Sequence, residues 1–320
     1  MMENKTVKVM EERWDYLIVL DACRYDLFEK LYRNYLPGAN LSVRKSIGSA
    51  TVEWRDKSFP EFYDSVVYVS SNPYINSDKD IKGFCGGDHF YKTIDVWKTG
   101  WDHQRGTVLP ATVTLEALKA IHANPDKRII IHYLQPHAPY LKFGSECRGF
   151  PIPDLQKKTV LWGIDITENK SIRKKIYHIL LPIMKRFKRF GNHSDWMLSQ
   201  FLGLAPCTPM DAVRRRYGNE GLLRAYQENL QEVLKEVAVL LACLSGTIVV
   251  TSDHGECLGE QQLYSHDLNS QHPLLRNIPW YQIQQEGKSI PEAMLKEGMQ
   301  KNEDASEVEI ENRLRDLGYL

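Results

Sequence analysis

The residue pair Asp253-His254 carries the clearest chemical signal in the sequence. It follows the apolar run 247–250, which predicts a buried strand, so both side chains come at the carboxyl end of a strand, where an α/β sheet places its chemistry. A carboxylate and an imidazole can both bind a borderline divalent cation such as zinc or manganese. Gly255 behind them allows a sharp turn of the chain. An isolated Asp-His pair is more often an ordinary surface loop, so the metal hypothesis depends on what other strands bring to the same edge.

Two further apolar runs end in polar groups. Residues 16–20 lead into Asp21, and residues 128–134 lead into a loop in which two prolines flank His137. Proline restricts the backbone, so this loop is predicted to be stiff. Three strands are therefore expected to present groups that bind metal at one edge of a sheet.

Four blocks, in this order, resemble the alkaline phosphatase superfamily. They are the strand that ends in Asp21, the hydroxyl-bearing segment 48–51, the loop 132–140, and the Ser-Asp-His-Gly-Glu block 252–256. The closest resemblance is to the sulfatase-like branch, which includes sulfatases, phosphonate hydrolases and the phosphoglycerol and phosphoethanolamine transferases. The resemblance implies an alkaline-phosphatase-like α/β fold, with a mostly parallel central sheet between helices, and a metal-dependent enzyme that acts on ester bonds.

The resemblance also implies a nucleophile in the segment 48–51, on a loop that opens a helix. We take Thr51 as this nucleophile and Ser49 as the alternative. A helix that begins near Thr51 would direct free amide groups at an anionic ester, and a bound cation would activate the hydroxyl. The same residues also fit an ordinary helix cap, a role compatible with chemistry.

Two departures from the family pattern narrow the prediction. Cys23 is followed by Arg-Tyr-Asp, so the Cys-x-Pro/Ala-x-Arg signature of formylglycine sulfatases is absent, and phosphoester chemistry is favoured. The loop 132–140 contains no aspartate, so a complete second metal site is not expected. By resemblance to the transferases, one divalent cation, manganese or zinc, would be bound by four residues: Asp21, Thr51, Asp253 and His254.

Four histidines are candidates for contact with the substrate. His137 would hold a phosphoryl oxygen or protonate the leaving alcohol, although it could instead pack between its prolines. Family members often place a histidine shortly after the Asp-His block, and His272 is our first choice for it, with His266 close behind. His132 lies inside a predicted strand, where a core histidine is common, and is kept as a third candidate for substrate binding. A basic group near the phosphoryl group would neutralise charge, and the candidates are Arg24, Arg55, Lys98, Arg105 and Arg276.

The hydrophobic pattern predicts alternating strands and helices. The strands are expected at 16–20, 65–70 and 128–134, and the helices at 24–35, 113–123 and 221–244. Such alternation favours parallel pairing with helices on both faces of the sheet. The strand 65–70 ends at Asn72-Pro73, in another loop that could face the site.

We predict one α/β catalytic domain, residues 1–285, with a variable basic helical cap insertion at 149–218 and a charged helical tail at 286–320. The insertion contains basic clusters at 157–158, 173–175 and 185–190. They could bind an anionic polymer or a lipid surface, or form a solvated helix face.

Composition excludes some classes of function. The 320-residue chain has 41 basic and 41 acidic residues, so no overall charge favours nucleic acid. Its six cysteines lack CxxC spacing and suggest reduced thiols, and no apolar run is long enough to span a membrane. We therefore expect a cytoplasmic protein without a transmembrane segment or a nucleic-acid partner, and leave its oligomeric state open.

The predicted function is hydrolysis or transfer of a phosphoester, monoester or diester, through a covalent threonine intermediate. The substrate would be a small molecule or the phosphoester headgroup of a glycan or lipid. Two alternatives remain: a sulfate-ester hydrolase without formylglycine, and a catalytically silent sulfatase-like binding protein.

Overall fold

A seven-stranded sheet forms the centre of the computed structural model, which describes residues 6–143, 172–185 and 193–286. The strands, including two short two-stranded pairs, are β1 Tyr16–Leu20, β2 Asn40–Lys45, β3 Tyr63–Ser70, β4 Phe90–Asp95, β5 Trp101–Asp102, β6 Thr107–Val108, β7 Arg128–Tyr133, β8 Gly246–Thr251, β9 Cys257–Leu258, β10 Tyr264–Ser265 and β11 Asn277–Gln285. The order in the large sheet is β2-β11-β8-β1-β7-β3-β4.

Five neighbouring strands of this sheet, from β8 to β4, run parallel, whereas β11 is antiparallel to both of its neighbours. Strand β1 lies between β8 and β7, with Val19 opposite both Thr251 and His132. The carboxyl ends of β8, β1, β7 and β3 therefore meet at one edge. The predicted mostly parallel sheet is confirmed.

Helices cover both faces of the sheet. They are α1 Tyr25–Leu31, α2 Thr51–Ser58, α3 Val96–Thr99, α4 Pro110–Ala123, α5 Ile172–Lys185, α6 Ser194–Phe201, α7 Pro209–Cys243 and α8 Pro273–Arg276. Alternate side chains of β1 enter opposite cores: Ile18 packs in the cluster that includes residues of α1, α4 and α7, and Leu17 packs in the cluster with Trp54 of α2. Burial on both faces explains why the strand sequence is continuously apolar.

The long helix α7 begins earlier than predicted. The expected helix 221–244 is the second part of α7, and Gly218 interrupts the helix with a φ of 70°. Thr208 caps the helix by accepting a hydrogen bond from the Asp211 backbone nitrogen at 3.1 Å, and Pro209 follows at the first helical position. Residues 209–218, which we predicted as the end of the insertion, are thus the first turns of this helix. Three of the predicted features lie wholly or mostly outside the described residues: the tail 286–320, the cluster 157–158 and the cluster 185–190.

None of the helices in the described ranges combines the length and apolar character required for a membrane span. Cysteines 23, 85, 207 and 257 are free thiols, and Cys23 is fully buried in the core. The cytoplasmic location stays a prediction.

The turn that follows β1 is held by helix α7. Ala22 has a left-handed backbone conformation (φ 58°), which is uncommon for a residue other than glycine. The buried Tyr226 hydroxyl accepts a hydrogen bond from the Arg24 backbone nitrogen at 3.0 Å and donates one to the Ala22 carbonyl oxygen at 2.6 Å. One side chain therefore satisfies two backbone groups next to Asp21.

We predict that Tyr226→Phe lowers the free energy of unfolding by about 1–3 kcal/mol, because two buried backbone groups lose their partner. Urea unfolding followed by circular dichroism measures this. The same change at Tyr91, which is exposed, is the matched control and should be neutral. An unaltered stability of Tyr226→Phe would mean that other contacts hold the turn.

Candidate active site

Three predicted metal ligands come together at the carboxyl edge of the sheet. Asp21 follows β1, and Asp253 and His254 follow β8; their ligand atoms all lie within 4.8 Å of one another. His254 Nε2 is 3.7 Å from Asp21 Oδ1 and 3.4 Å from Asp253 Oδ2. All three side chains are buried. We call them the acidic cluster.

Thr51 joins the acidic cluster through its hydroxyl. Thr51 Oγ1 donates a hydrogen bond to Asp253 Oδ2 at 2.7 Å and lies 3.3 Å from His254 Nε2. Thr51 is the first residue of α2, and Ala50, whose methyl group cannot accept a hydrogen bond, occupies the N-cap position. The Thr51 hydroxyl is therefore directed at the cluster and not used as a helix cap.

Ser49, the alternative nucleophile, has a different environment. Its hydroxyl lies 2.9 Å from Glu53 Oε2 and 2.7 Å from the Asp267 carbonyl oxygen, and it accepts a hydrogen bond from the Ser270 backbone nitrogen at 3.0 Å. These contacts join the start of α2 to the loop before α8. Ser49 thus supports the local structure, and Thr51 faces the acidic cluster.

Hydrogen bonds orient the pair after β8. Asp253 Oδ1 accepts from the backbone nitrogens of Ala22 (3.0 Å) and His254 (2.9 Å), which leaves Oδ2 for Thr51. His254 Nδ1 lies 2.8 Å from the Gly255 carbonyl oxygen, an acceptor, so Nδ1 carries the proton and Nε2 keeps its lone pair toward the cluster. This is the tautomer that a metal ligand requires.

The buried negative charge of the acidic cluster would be stabilised by a bound cation. Burial, together with the charge of Asp253, raises the pKa of Asp21 well above its ordinary value. Burial lowers the pKa of His254 to about 4, so the imidazole is neutral at pH 7. Two buried carboxylates, a neutral imidazole nitrogen and a hydroxyl suit zinc or manganese, so these residues fit the predicted ion.

Asn72, at the end of β3, is a site residue that was not assigned from the sequence. Its Nδ2 donates to Asp21 Oδ2 at 2.7 Å, and its Oδ1 accepts from the Tyr74 backbone nitrogen at 2.9 Å. The sequence signal that points to Asn72 is its position directly after a predicted strand. Asn72 therefore orients one oxygen of Asp21.

His132 does not contact the cavity as a substrate-binding residue would. It is fully buried in β7, with Nδ1 2.8 Å from the Tyr68 hydroxyl and its ring packed edge-on against Trp54. Its Nε2 is 3.9 Å from Asp21 Oδ2. The prediction of substrate contact is corrected: alternation along the strand turns His132 into the core behind Asp21.

A second group of possible metal ligands lies beside the first. His137, Glu256 and His266 place their ligand atoms within 4.8 Å of one another. His266 Nδ1 is 2.9 Å from Glu256 Oε1, and His137 Nε2 is 3.8 Å from Glu256 Oε2. The rings of His254 and His266 are 4.2 Å apart, so the two groups adjoin. We call this group the histidine cluster.

Glu256 gives the histidine cluster its acidic member. We expected no complete second metal site because the loop 132–140 lacks an aspartate, but the carboxylate here comes from the loop after β8. Glu256 is fully buried, and within the described residues its Oε2 has no hydrogen-bond partner. Burial opposes ionisation, yet His266 and His137 lower the pKa of Glu256. The cluster could therefore hold a cation or the oxygens and protons of a substrate.

Of the two later histidines, His266 lies at the cavity and His272 does not. His266 lines the cavity, whereas His272 is the N-cap of α8, where its Nδ1 accepts from the Leu274 backbone nitrogen at 3.3 Å. Pro273 follows at the first helical position, as is common after a cap. The first choice of His272 is corrected by this local role.

Asn229 of α7 holds the loop that carries His137. Its Nδ2 lies 3.4, 3.2 and 3.0 Å from the carbonyl oxygens of Pro136, His137 and Pro139, and its Oδ1 accepts from the Leu141 backbone nitrogen at 2.8 Å. Asn229 is buried. The peptide bonds before Pro136 and Pro139 are both cis.

Gly255 allows two backbone segments to approach closely and does not form the sharp turn that we expected. Its φ is not positive, but a Cβ atom there would lie 2.0 Å from the Leu274 carbonyl oxygen. Its backbone nitrogen donates to the Leu275 carbonyl oxygen at 2.9 Å. Only glycine allows the segment before α8 to pack this closely behind His254.

Both clusters open into one cavity of about 160 Å³. The lining residues are Asp21, Thr51, Asn72, Tyr74, His137, Ala138, Trp196, Thr208, Pro209, Met210, Ser265 and His266. Trp196 and the segment 208–210 come from the region predicted as a cap. The lining thus combines aromatic and apolar side chains with polar ones.

The basic candidates from the sequence lie elsewhere. Among the described residues, no lysine or arginine lines the cavity. Their partners are Asp26 and Glu260 for Arg24, the carbonyl oxygens of Tyr74 and Ile81 for Arg55, Asp78 and Asp95 for Lys98, Asp102 for Arg105, and the carbonyl oxygens of Ser46 and Ser270 for Arg276. Within the described part of the chain, positive charge for an anionic substrate would therefore come from a metal or from histidine.

Comparison with solved structures identifies similar proteins at low identity. The lipooligosaccharide phosphoethanolamine transferase A from Neisseria meningitidis, an integral membrane protein, is 14% identical, with a TM-score of 0.46 over 88% of this chain and 51% of that chain. The periplasmic domain of phosphoethanolamine transferase EptC from Campylobacter jejuni is 15% identical, with a TM-score of 0.44 over 88% and 83%. A phosphonate monoester hydrolase from Silicibacter pomeroyi is 13% identical, with a TM-score of 0.40 over 88% and 68%.

The chain spans about half the length of the Neisseria transferase. No family model and no curated protein match the sequence. Phosphoethanolamine transferases and phosphonate hydrolases are also among the classes of enzyme named in the sequence analysis. We argue the function from this chain's own residues.

We predict that Asn229→Leu loosens the loop that carries His137, because the loop loses its donor and acceptor within a buried site. The free energy of unfolding should fall by about 1–3 kcal/mol. Hydrogen exchange of residues 135–141, followed by mass spectrometry, should become faster there than elsewhere. The matched control is Asn34→Leu at an exposed position. Unchanged exchange in this loop would contradict the assigned role.

Proposed function

We propose that the chain is a metal-dependent enzyme of the sulfatase-like branch of the alkaline phosphatase superfamily. It would hydrolyse or transfer a phosphoester through a covalent phosphothreonine. The single observation that carries this proposal is the Thr51 hydroxyl, which faces the cavity and donates to Asp253 beside Asp21 and His254. An ordinary helix cap would have no reason to place its hydroxyl within a cluster of buried carboxylates.

Asp21, Asp253 and His254, with Thr51, are the residues that would hold the divalent cation. Such a cation supplies positive charge, which lowers the pKa of a hydroxyl and offsets the charge of phosphoryl oxygens. The chain contributes the geometry. Asp253 Oδ2 accepts a hydrogen bond from the Thr51 hydroxyl, so a lone pair of Oγ1 remains available on the cavity side.

The reaction would proceed in two displacements. Thr51 Oγ1 forms a bond to phosphorus while the bond from phosphorus to the leaving alcohol breaks, and the Thr51 proton passes to Asp253 Oδ2. His137 or His266, which both line the cavity, gives a proton to the leaving oxygen. Water or an acceptor alcohol then attacks phosphorus and gives its proton to the same histidine, the bond from phosphorus to Thr51 Oγ1 breaks, and Asp253 Oδ2 returns the proton to Oγ1.

The size of the cavity favours a small chemical group around the reacting phosphorus. Its volume of about 160 Å³ is similar to the roughly 150 Å³ of an engineered cavity that binds benzene. Tyr74, Trp196 and Met210 provide apolar contact area, and a longer glycan or lipid portion would have to extend outside. A phosphoester headgroup is therefore the substrate class that we favour over a large internal ligand.

We predict that Thr51→Ala reduces turnover of an aryl phosphate monoester or diester by at least about a thousandfold, because the nucleophile is lost. Thr51→Ser should retain part of the activity, since it keeps the hydroxyl. The assay uses purified chain supplied with zinc or manganese, and metal content is measured for each variant.

Three outcomes of this assay would count against the proposal. If Thr51→Ala had activity near that of the wild type, Thr51 would be excluded as the nucleophile. If only Ser49→Ala lost turnover, the nucleophile would be Ser49. Faster turnover of the matched aryl sulfate would favour the sulfate-ester hydrolase. Bound metal without turnover of any ester would favour the silent binding protein.

A further inference from the structure

Helix α5 exposes an apolar stripe to solvent. Ile172 is 75% exposed and Ile179 is 66% exposed, and Ile176 and Leu180 are also exposed. With 3.6 residues per turn, these four positions fall within an arc of about 100°. Tyr177, on another side of the helix, is buried. These four aliphatic side chains are thus exposed to solvent.

Helix α6 continues this apolar surface. Phe201, its last residue, is 85% exposed, and Met197 one turn earlier is exposed as well. The two helices pack together, and the Arg173 guanidinium is 3.3 Å from the place of a Cβ atom on Gly203. The amino end of α5, with Ile172, therefore lies near the end of α6. We call the exposed side chains of α5 and α6 the apolar face.

Basic residues border the apolar stripe of α5. Arg173 and Lys175 fall on opposite sides of it on a helical projection, and both are exposed. The segment 172–185 contains Arg173, Lys174, Lys175 and Lys185 and no acidic residue. An apolar stripe between cationic side chains is the pattern of a helix that lies in a membrane interface, where the apolar side chains enter the acyl boundary and the cations meet anionic headgroups.

The apolar face is connected to the cavity. Trp196, one residue before Met197, lines the cavity that contains Thr51. A surface bound to α5 and α6 would therefore lie close to the cavity wall. If the proposed function holds, such a surface would present phosphoester headgroups near the reacting residues.

From these observations we propose that α5 and α6 form a docking surface for a bilayer that contains anionic phospholipid. The exposed aliphatic and aromatic side chains favour a partner with a nonpolar interior. The bordering cations favour anionic over neutral lipid headgroups. The docking does not require catalysis, so it can be tested by itself.

The test is co-sedimentation of the full chain with phosphatidylcholine vesicles, with and without phosphatidylglycerol. We expect binding only to vesicles with phosphatidylglycerol, weakened by added salt. The variant Ile179→Glu/Phe201→Glu should lose at least about tenfold in affinity. The matched control is Phe62→Glu, because Phe62 is 59% exposed before the first residue of β3, at the opposite edge of the sheet.

Turnover of a soluble aryl phosphoester and the urea unfolding midpoint are measured on the same proteins. Both should be unchanged in the double variant, because its substitutions lie outside the cavity. If neither the wild type nor any variant turned over the ester, that would count against the proposed function. The vesicle result would still test the docking surface. No vesicle binding, or equal binding by the double variant and wild type, would overturn the docking surface. A dimer that Phe201→Glu dissociates, with no vesicle binding, would assign the face to a second copy of the chain.

Discussion

Two carboxylates buried side by side, Asp21 and Asp253, are the constraint on which the site depends. Burial of like charges is unfavourable unless hydrogen bonds and an opposite charge compensate. The chain supplies the hydrogen bonds: backbone nitrogens of Ala22 and His254 for Asp253, and the Asn72 amide for Asp21. The opposite charge is what a divalent cation would bring. The parallel sheet makes this arrangement possible, because β1 and β8 are neighbours whose carboxyl ends coincide.

Helix α7 links the stability of the fold to the geometry of the site. Tyr226 and Asn229 are three residues apart, on one face of the helix. Tyr226 holds the turn after Asp21, and Asn229 holds the loop with His137. Both are buried in the same helix whose apolar residues pack in the main core. Core packing thereby positions an acidic ligand and a histidine together.

Local patterns allowed much of this arrangement to be predicted from the sequence. Apolar runs followed by Asp21 and by Asp253-His254 located the strands and the cluster, and the small residues before Thr51 located its helix. Contacts between distant segments could not be predicted in this way. The roles of Asn72, Glu256 and Asn229, the burial of His132 and the close packing behind Gly255 all depend on which strand or helix lies next to them. The proline after His272 is a helix-start signal that indicates a capping role, and the family pattern alone does not distinguish such a cap from a residue that contacts substrate.

The proposed function requires a divalent cation among Asp21, Thr51, Asp253 and His254. Anomalous diffraction from crystals of the chain grown with zinc or manganese tests it directly. We predict an anomalous peak between these four side chains that disappears in Asp253→Asn. A peak confined to His137, Glu256 and His266, or no peak near Thr51 at full metal loading, would show that these four residues do not hold the cation.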